Sequence, residues 1–168
     1  IPVAQPPFIP ELAGKKSRPF WLIYWKDNEI RRIDSQGQDD EFLVDVFKEL
    51  GQSLSEVPDF CNNPDGGCDI GSRVTVSPDG SKLALIVLDK IHSGFSIYLF
   101  DIQTRTLTYL DKGVRPTWSY NSSHLAYLKD YNLWAIDLTT GQSHELATQK
   151  PDLGIVEFTW SPDDRYVA

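Results

Sequence analysis

The sequence has no methionine, even at position 1, only two cysteines, and no apolar run near the roughly 20 residues that a membrane-spanning helix needs. The missing initiator leads to the expectation that these 168 residues are a processed or excised piece of a longer polypeptide. Residues 1–16 also lack the basic start and apolar middle of a secretory signal, so any targeting segment is expected to have been removed or never to have existed. Basic charge is scarce. Lys and Arg number 16 against 24 Asp and Glu, a net charge of −8, and a phosphate backbone calls for the opposite balance, which argues against a nucleic-acid partner. Catalytic motifs are missing too: there is no Gly-x-Ser-x-Gly elbow, no His-Glu-x-x-His and no phosphate-binding glycine loop. His92, His124 and His144 fall near turns or strand ends, where a solvated surface histidine is a plainer reading than a catalytic base. No catalytic residue, resident metal or cofactor is expected of the chain itself.

What is present is a repeat. Val76-Ser-Pro-Asp-Gly-Ser-Lys-Leu-Ala-Leu85 returns as Trp118-Ser-Tyr-Asn-Ser-Ser-His-Leu-Ala-Tyr127 and as Trp160-Ser-Pro-Asp-Asp-Arg-Tyr-Val-Ala168. The serines at 77, 119 and 161 and the alanines at 84, 126 and 168 share one step of 42 residues. A fixed period of this size signals an array of small structural units. Within the motif, Pro78 pre-sets φ, Asp79 bonds its own backbone, and Gly80 takes a dihedral that other residues avoid.

Each period holds four short strand patterns. In the most regular unit these are residues 73–77, 82–88, 95–101 and 106–110, and the next unit repeats them at 115–119, 125–129, 133–138 and 143–147. The first unit begins at what is the second strand elsewhere: Tyr24, Lys26, Asp27 and Asp34 match Tyr127, Lys129, Asp130 and Asp137 at an offset of 103, so this unit carries about 19 additional residues. A four-stranded antiparallel sheet cannot bury both faces alone, but sheets stacked radially cover one another. The expected fold is all-β, a β-propeller of four-stranded blades, here incomplete. Residues 1–19, with five prolines, form a linker or tether. Blade 1 spans about 20–46, an insertion about 47–72, blade 2 about 73–112, blade 3 about 113–150, and the start of a fourth blade about 151–168.

Trp160-Ser-Pro-Asp-Asp-Arg-Tyr-Val-Ala168 together with Leu133-Trp-Ala-Ile-Asp-Leu-Thr-Thr-Gly141 resembles the blades of TolB-type propellers, and is similar to the propellers of dipeptidyl-peptidase and prolyl-oligopeptidase enzymes. The resemblance covers about residues 20–168 apart from the insertion. It implies blade architecture and little about function, because such propellers host many unrelated tasks. It also implies a closed ring, so further blades from the rest of the protein, or from a homo-oligomer, are expected to complete it.

The segment that departs from the repeat holds both cysteines and most of the charge. From Asp34 to Asp69 ten acidic residues face a single base, Lys48. Asp39, Asp40, Glu41 and Asp45 are candidates for an acidic docking surface, with a solvated excursion as the bland alternative. Residues 40–50 read as a brief strand running into a helical turn, since Leu43, Val46, Phe47 and Leu50 keep helical spacing. Cys61 and Cys68 bracket a turn-rich spacer and are expected to pair as a disulfide, which implies an oxidising, extracytoplasmic compartment. Asn63, Asp65 and Asp69 form a weak calcium candidate, the disulfide-tied turn being the plainer account of them. Asn121-Ser-Ser123 fits a glycosylation sequon. The functional expectation is a non-enzymatic binding scaffold whose protein partners the sequence does not name. The alternative is the N-terminal propeller part of a prolyl-oligopeptidase-family serine peptidase whose catalytic domain lies outside this chain.

Overall fold

Strand-length runs separated by turn residues give a computed structural model of almost pure β-structure, which describes residues 21–26, 29–51, 74–89, 91–148, 155 and 157–168. Three antiparallel sheets follow one another along the chain. The first has three strands, β1 (Trp21–Lys26), β2 (Glu29–Asp34) and β3 (Glu41–Asp45), and β3 runs directly into a one-turn helix, α1 (Val46–Glu49). The second has four, β4 (Val74–Val76), β5 (Lys82–Asp89), β6 (Gly94–Asp101) and β7 (Thr106–Lys112); the third is β8 (Val114–Trp118), β9 (His124–Lys129), β10 (Asn132–Asp137) and β11 (Ser143–Ala147). A bridge between Trp160 and Val167, flanked by reciprocal bonds between Thr159 and Ala168, opens a fourth sheet.

The alternation of side chains along a strand decides which neighbour each residue meets. In β5 the run Leu83 to Val87 is buried throughout, which one-sided sheets do not allow. Leu83, Leu85 and Val87 pack with Tyr98 and Phe100 against Ile30, Leu43, Val44, Val46 and Phe47 of the first sheet and its helix. Ala84 and Ile97 point the other way, onto Trp118, Leu125, Tyr127 and Ile136 of the third sheet. That sheet repeats the arrangement, sending Ala126, Leu133 and Ala135 onto Trp160. Successive sheets are thus blades stacked face to face, each a partial core for the next. β11, which has no described neighbour on its outer side, is exposed at every residue.

The antiparallel order places the motif turns (β4–β5, β8–β9 and residues 161–165) and the β6–β7 and β10–β11 turns at one end of the stack. The β5–β6 and β9–β10 hairpins and the β7–β8 link lie at the other end. At that link Gly113 has φ of 152°, and a Cβ there would lie 2.7 Å from the Leu128 carbonyl and 2.8 Å from the Tyr127 ring, so no side chain fits.

Candidate functional site

At the motif end every turn is organised by one side-chain oxygen that gathers nearby donors. Asp79 Oδ1 accepts from the Ser77 hydroxyl (2.6 Å) and Ser81 N–H (3.0 Å). Asn121 Oδ1 does the same with Ser119 (2.9 Å) and Ser123 N–H (2.9 Å), and Asp163 Oδ1 with Ser161 (2.6 Å). In the other turns Asp34, Asp101 and Asp137 accept two backbone N–H groups each. These bonds hold the Asp79, Asp137 and Asp163 carboxyls below the usual range, and Asp101, bonded by Thr104 N–H and the Lys82 ammonium, is pulled down to about 2. The motif serine has a second role that the turn chemistry alone does not reveal. Ser77, Ser119 and Ser161 also accept, through Oγ, from the first N–H of the following strand segment, at Lys82, His124 and Tyr166.

Two further kinds of bond tie adjacent blades. Trp118 Nε1 donates to the Thr75 carbonyl (3.3 Å) and Trp160 Nε1 to the Thr117 carbonyl (3.0 Å). The Ser122 hydroxyl accepts from Asp79 N–H (3.1 Å), while Asp164 accepts from Tyr120 N–H (2.5 Å) and Asn121 N–H (2.8 Å). Gly80, Ser122 and Asp164 occupy one repeat column and all have left-handed backbones, with φ of 74°, 64° and 57°. Blade 2 has neither device facing blade 1, since Val76 replaces the tryptophan and Gly80 has no side chain. There the joint is made by Arg105, which donates to the Phe42 (2.7 Å) and Leu43 (3.0 Å) carbonyls and pairs with Glu41.

The candidate acidic surface is largely committed inside the chain. Asp40 Oδ1 accepts from Arg31 Nε (3.0 Å) and the Tyr24 hydroxyl (2.9 Å), and the arginine foremost keeps its carboxyl below the ordinary range. Glu41 bridges Arg32 and Arg105, and it too is lowered, mainly by Arg32. Asp45 caps α1 by accepting from Lys48 N–H (3.0 Å), as N-terminal aspartates do. Asp39 is exposed. Arg31, Arg32 and Arg105 lie outside the acidic stretch, so a charge count along the sequence does not reveal them. Cys61, Cys68, Asn63, Asp65 and Asp69 lie outside the described residues, as do residues 1–19. Among the described residues no three His, Cys, Asp or Glu side chains converge as metal ligands, and no helix is long and apolar enough to cross a membrane.

The histidines take three environments. His92 stacks on the Tyr109 ring, with centroids 3.7 Å apart, and lies edge-on to Tyr98. His144 is exposed on β11. His124 lies between the Ser123 hydroxyl (2.6 Å from Nδ1) and Asp137 (3.8 Å from Nε2). This row has the composition of a hydrolase triad without its geometry. Ser123 precedes His124 in the chain and its Oγ bonds Asn121 Oδ1 at 2.6 Å, while the Ser123 N–H is taken by the same oxygen and so is not itself free to act as an oxyanion donor. His124 and His144 line a cleft of about 370 Å³ between the third sheet and residues 160–167, together with Leu146, Trp160, Arg165 and Tyr166.

At the opposite end the hairpin tips carry exposed apolar side chains, Ile91 at 66% and Tyr131 at 79% exposure. Tyr131 holds φ of 67° next to Asp130 at 49°, a turn in which Asn and Gly are the favoured residues.

No protein-family model matches the chain, and no curated protein matches it in sequence. Solved structures do. TolB from Acinetobacter baumannii superimposes with a TM-score of 0.53 at 19% identity, over 83% of this chain and 31% of that protein. Porphyromonas gingivalis dipeptidyl peptidase 4 gives 0.55 at 14% identity over 89% and 23%. An oligogalacturonate lyase in complex with manganese gives 0.52 at 16% over 82% and 36%. The fold is therefore that of TolB-type and dipeptidyl-peptidase-type propeller blades, and this chain spans between about a quarter and somewhat over a third of the length of these proteins.

Proposed function

We propose that the chain is part of a β-propeller that acts as a non-enzymatic binding scaffold and meets its protein partner at the hairpin end of the blades. The observation that supports this reading most is the exposure of Ile91 and Tyr131 at the tips of successive hairpins. Tyr131 keeps a backbone conformation that costs an ordinary side chain about 1–2 kcal/mol, and it contributes almost no burial in return. Aromatic side chains presented in this way are the residues from which interface hot spots are built. The turn carboxylates and motif serines at the other end are spent on turn and blade geometry. Replacing Ile91 and Tyr131 together with alanine is expected to abolish retention of the partner from an extract of the source while leaving the melting temperature unchanged. Undiminished retention by the double variant would contradict this surface.

An extracytoplasmic location goes with this reading and rests on the Cys61 and Cys68 pair. Alkylation under non-reducing conditions is expected to leave both thiols unmodified; two modified thiols would remove the argument.

The peptidase reading is supported by the match of 89% of the chain to a dipeptidyl peptidase. In that case the propeller is the binding or gating part of a larger enzyme. Labelling the native polypeptide with a fluorophosphonate separates the two readings. A labelled polypeptide containing this sequence favours the peptidase, an unlabelled one the scaffold.

A further inference from the structure

The two inter-blade clasps are built from different residues to the same electrostatic count. In the joint between blades 2 and 3 the turn residue is Asp79 and the left-handed residue accepting its N–H is Ser122. In the next joint the turn residue is Asn121 and the left-handed residue is Asp164. Each joint has one carboxylate and one neutral acceptor, and the charged member changes sides between them. Both turn residues do the same local work, since Asp79 and Asn121 each gather the motif serine and a following backbone N–H. An aspartate at 121 would therefore suit its own turn, as Asp163 suits the turn after it. What excludes it is the neighbour: the Asp164 carboxylate is bonded to the N–H of residue 121 itself. A second carboxylate there would place like charges within a few bonds of one another, where each disfavours ionisation of the other.

We infer that the clasp is a charge rule by which blades recognise one another, admitting one carboxylate per joint. The turn at Asp163, beside the cleft lined by Trp160, is then a docking surface for a further blade whose left-handed residue is uncharged. The occupant follows from continuity with the two joints already formed, which share a hydrogen-bond step: 43 residues separate donor and acceptor in both indole bonds and in the bonds from the turn residues Asp79 and Asn121 to Ser122 and Asp164. Asp163 already supplies the single charge. The incoming residue is therefore Ser or Asn, with an N–H donor before its motif serine to reach the Thr159 carbonyl.

Transplanting each pair into the other joint tests the rule. Asn121→Asp alone is expected to lower the melting temperature by about 2–4 °C, and the loss should shrink in 1 M salt, where the screening length falls to about 3 Å. Adding Asp164→Ser recreates the Asp79 and Ser122 pair and should restore most of the loss. In the other joint Ser122→Asp should destabilise and Asp79→Asn should rescue it. Rescue in both joints supports the rule; additive losses in either, or a salt-independent loss, overturn it. Docking is tested by extending the chain with a second copy of residues 127–168, which continues the period. With Ser in place of the duplicated Asp164 the extended protein should melt higher than with Asp. Equal or reversed melting, or failure of both forms to fold, overturns the docking assignment.

Discussion

Trp160 donates its indole N–H to the carbonyl oxygen of Thr117, 43 residues earlier, at 3.0 Å. Trp118 repeats the bond to Thr75 one blade back, at 3.3 Å. Both rings are almost wholly buried, at 8% exposure, so each tryptophan contributes packing between two sheets and a polar bond that sets their register.

Phenylalanine in place of Trp118 keeps an aromatic ring but removes the donor. Loss of the bond to Thr75 should cost about 1 kcal/mol, whereas Trp118→Ala, which also empties the space between blades, should cost about 3–5 kcal/mol. Urea unfolding of the two variants measures the difference. A phenylalanine variant as stable as the unchanged protein would mean that the hydrogen bond contributes nothing of its own.

Arg105 stands in a left-handed conformation, φ 60°, at the position where the equivalent turn of the third sheet has Gly141 at 72°. Arg105→Gly relieves backbone strain while losing the contacts to Phe42, Leu43 and Glu41; Arg105→Ala loses the same contacts and keeps the strain. The alanine variant should be the less stable by about 1 kcal/mol, as read from chemical denaturation. The reverse order would show that backbone strain at this position is negligible.

Gly113 admits no Cβ. Gly113→Ala should destabilise by about 1–3 kcal/mol through overpacking against Tyr127 and the Leu128 carbonyl, with left-handed strain in addition. Alanine at Gly80, where no atom lies within 4 Å of the added carbon, meets only the backbone penalty. Thermal melts of the pair should rank Gly113→Ala below Gly80→Ala.

Acid should loosen the turns. Asp101 titrates at about 2 in the folded chain because Thr104 N–H and Lys82 favour its charged form, against about 3.9 for an unfolded aspartate. A lowered folded value means stabilisation that is complete above about pH 4 and lost as pH falls toward about 2. Asp79, Asp137 and Asp163 are shifted in the same direction. Asp101→Asn retains an acceptor for Thr104 and should flatten the stability profile between about pH 4 and pH 2. Superimposable acid titrations of the two proteins, followed by circular dichroism, would rule this out.

Much of the sheet pattern was legible along the chain. Phe95 to Asp101 reads as a strand from its aromatic and β-branched content between turn residues and forms one from Gly94 to Asp101. The run at 40–50 reads as a strand entering a helical turn, and β3 passes into α1 there. The start of a fourth blade expected at about 151–168 shows, among its described residues, only the bridge from Trp160 to Val167. That segment has no completed sheet beside it, and a ladder needs a partner. The charge of Asp40 and Glu41 was legible, but their neutralisation was not: Arg105 lies 64 residues from Glu41, and nothing local marks it as a partner.

The sequence by itself determined the period of 42, the turn chemistry of Ser77, Asp79 and Gly80, and hence the strands between turns. These are short-range properties, set by dihedral preferences and by side-chain bonds spanning two to five residues. Only the tertiary structure decided that the tryptophans are donors, that Ser122 and Asp164 reach into the preceding turn, and that the acidic strand is paired within the chain. Groups 43 or 64 residues apart come within bonding distance only when the sheets stack, and the periodicity that predicts stacking does not say which polar atoms it brings together.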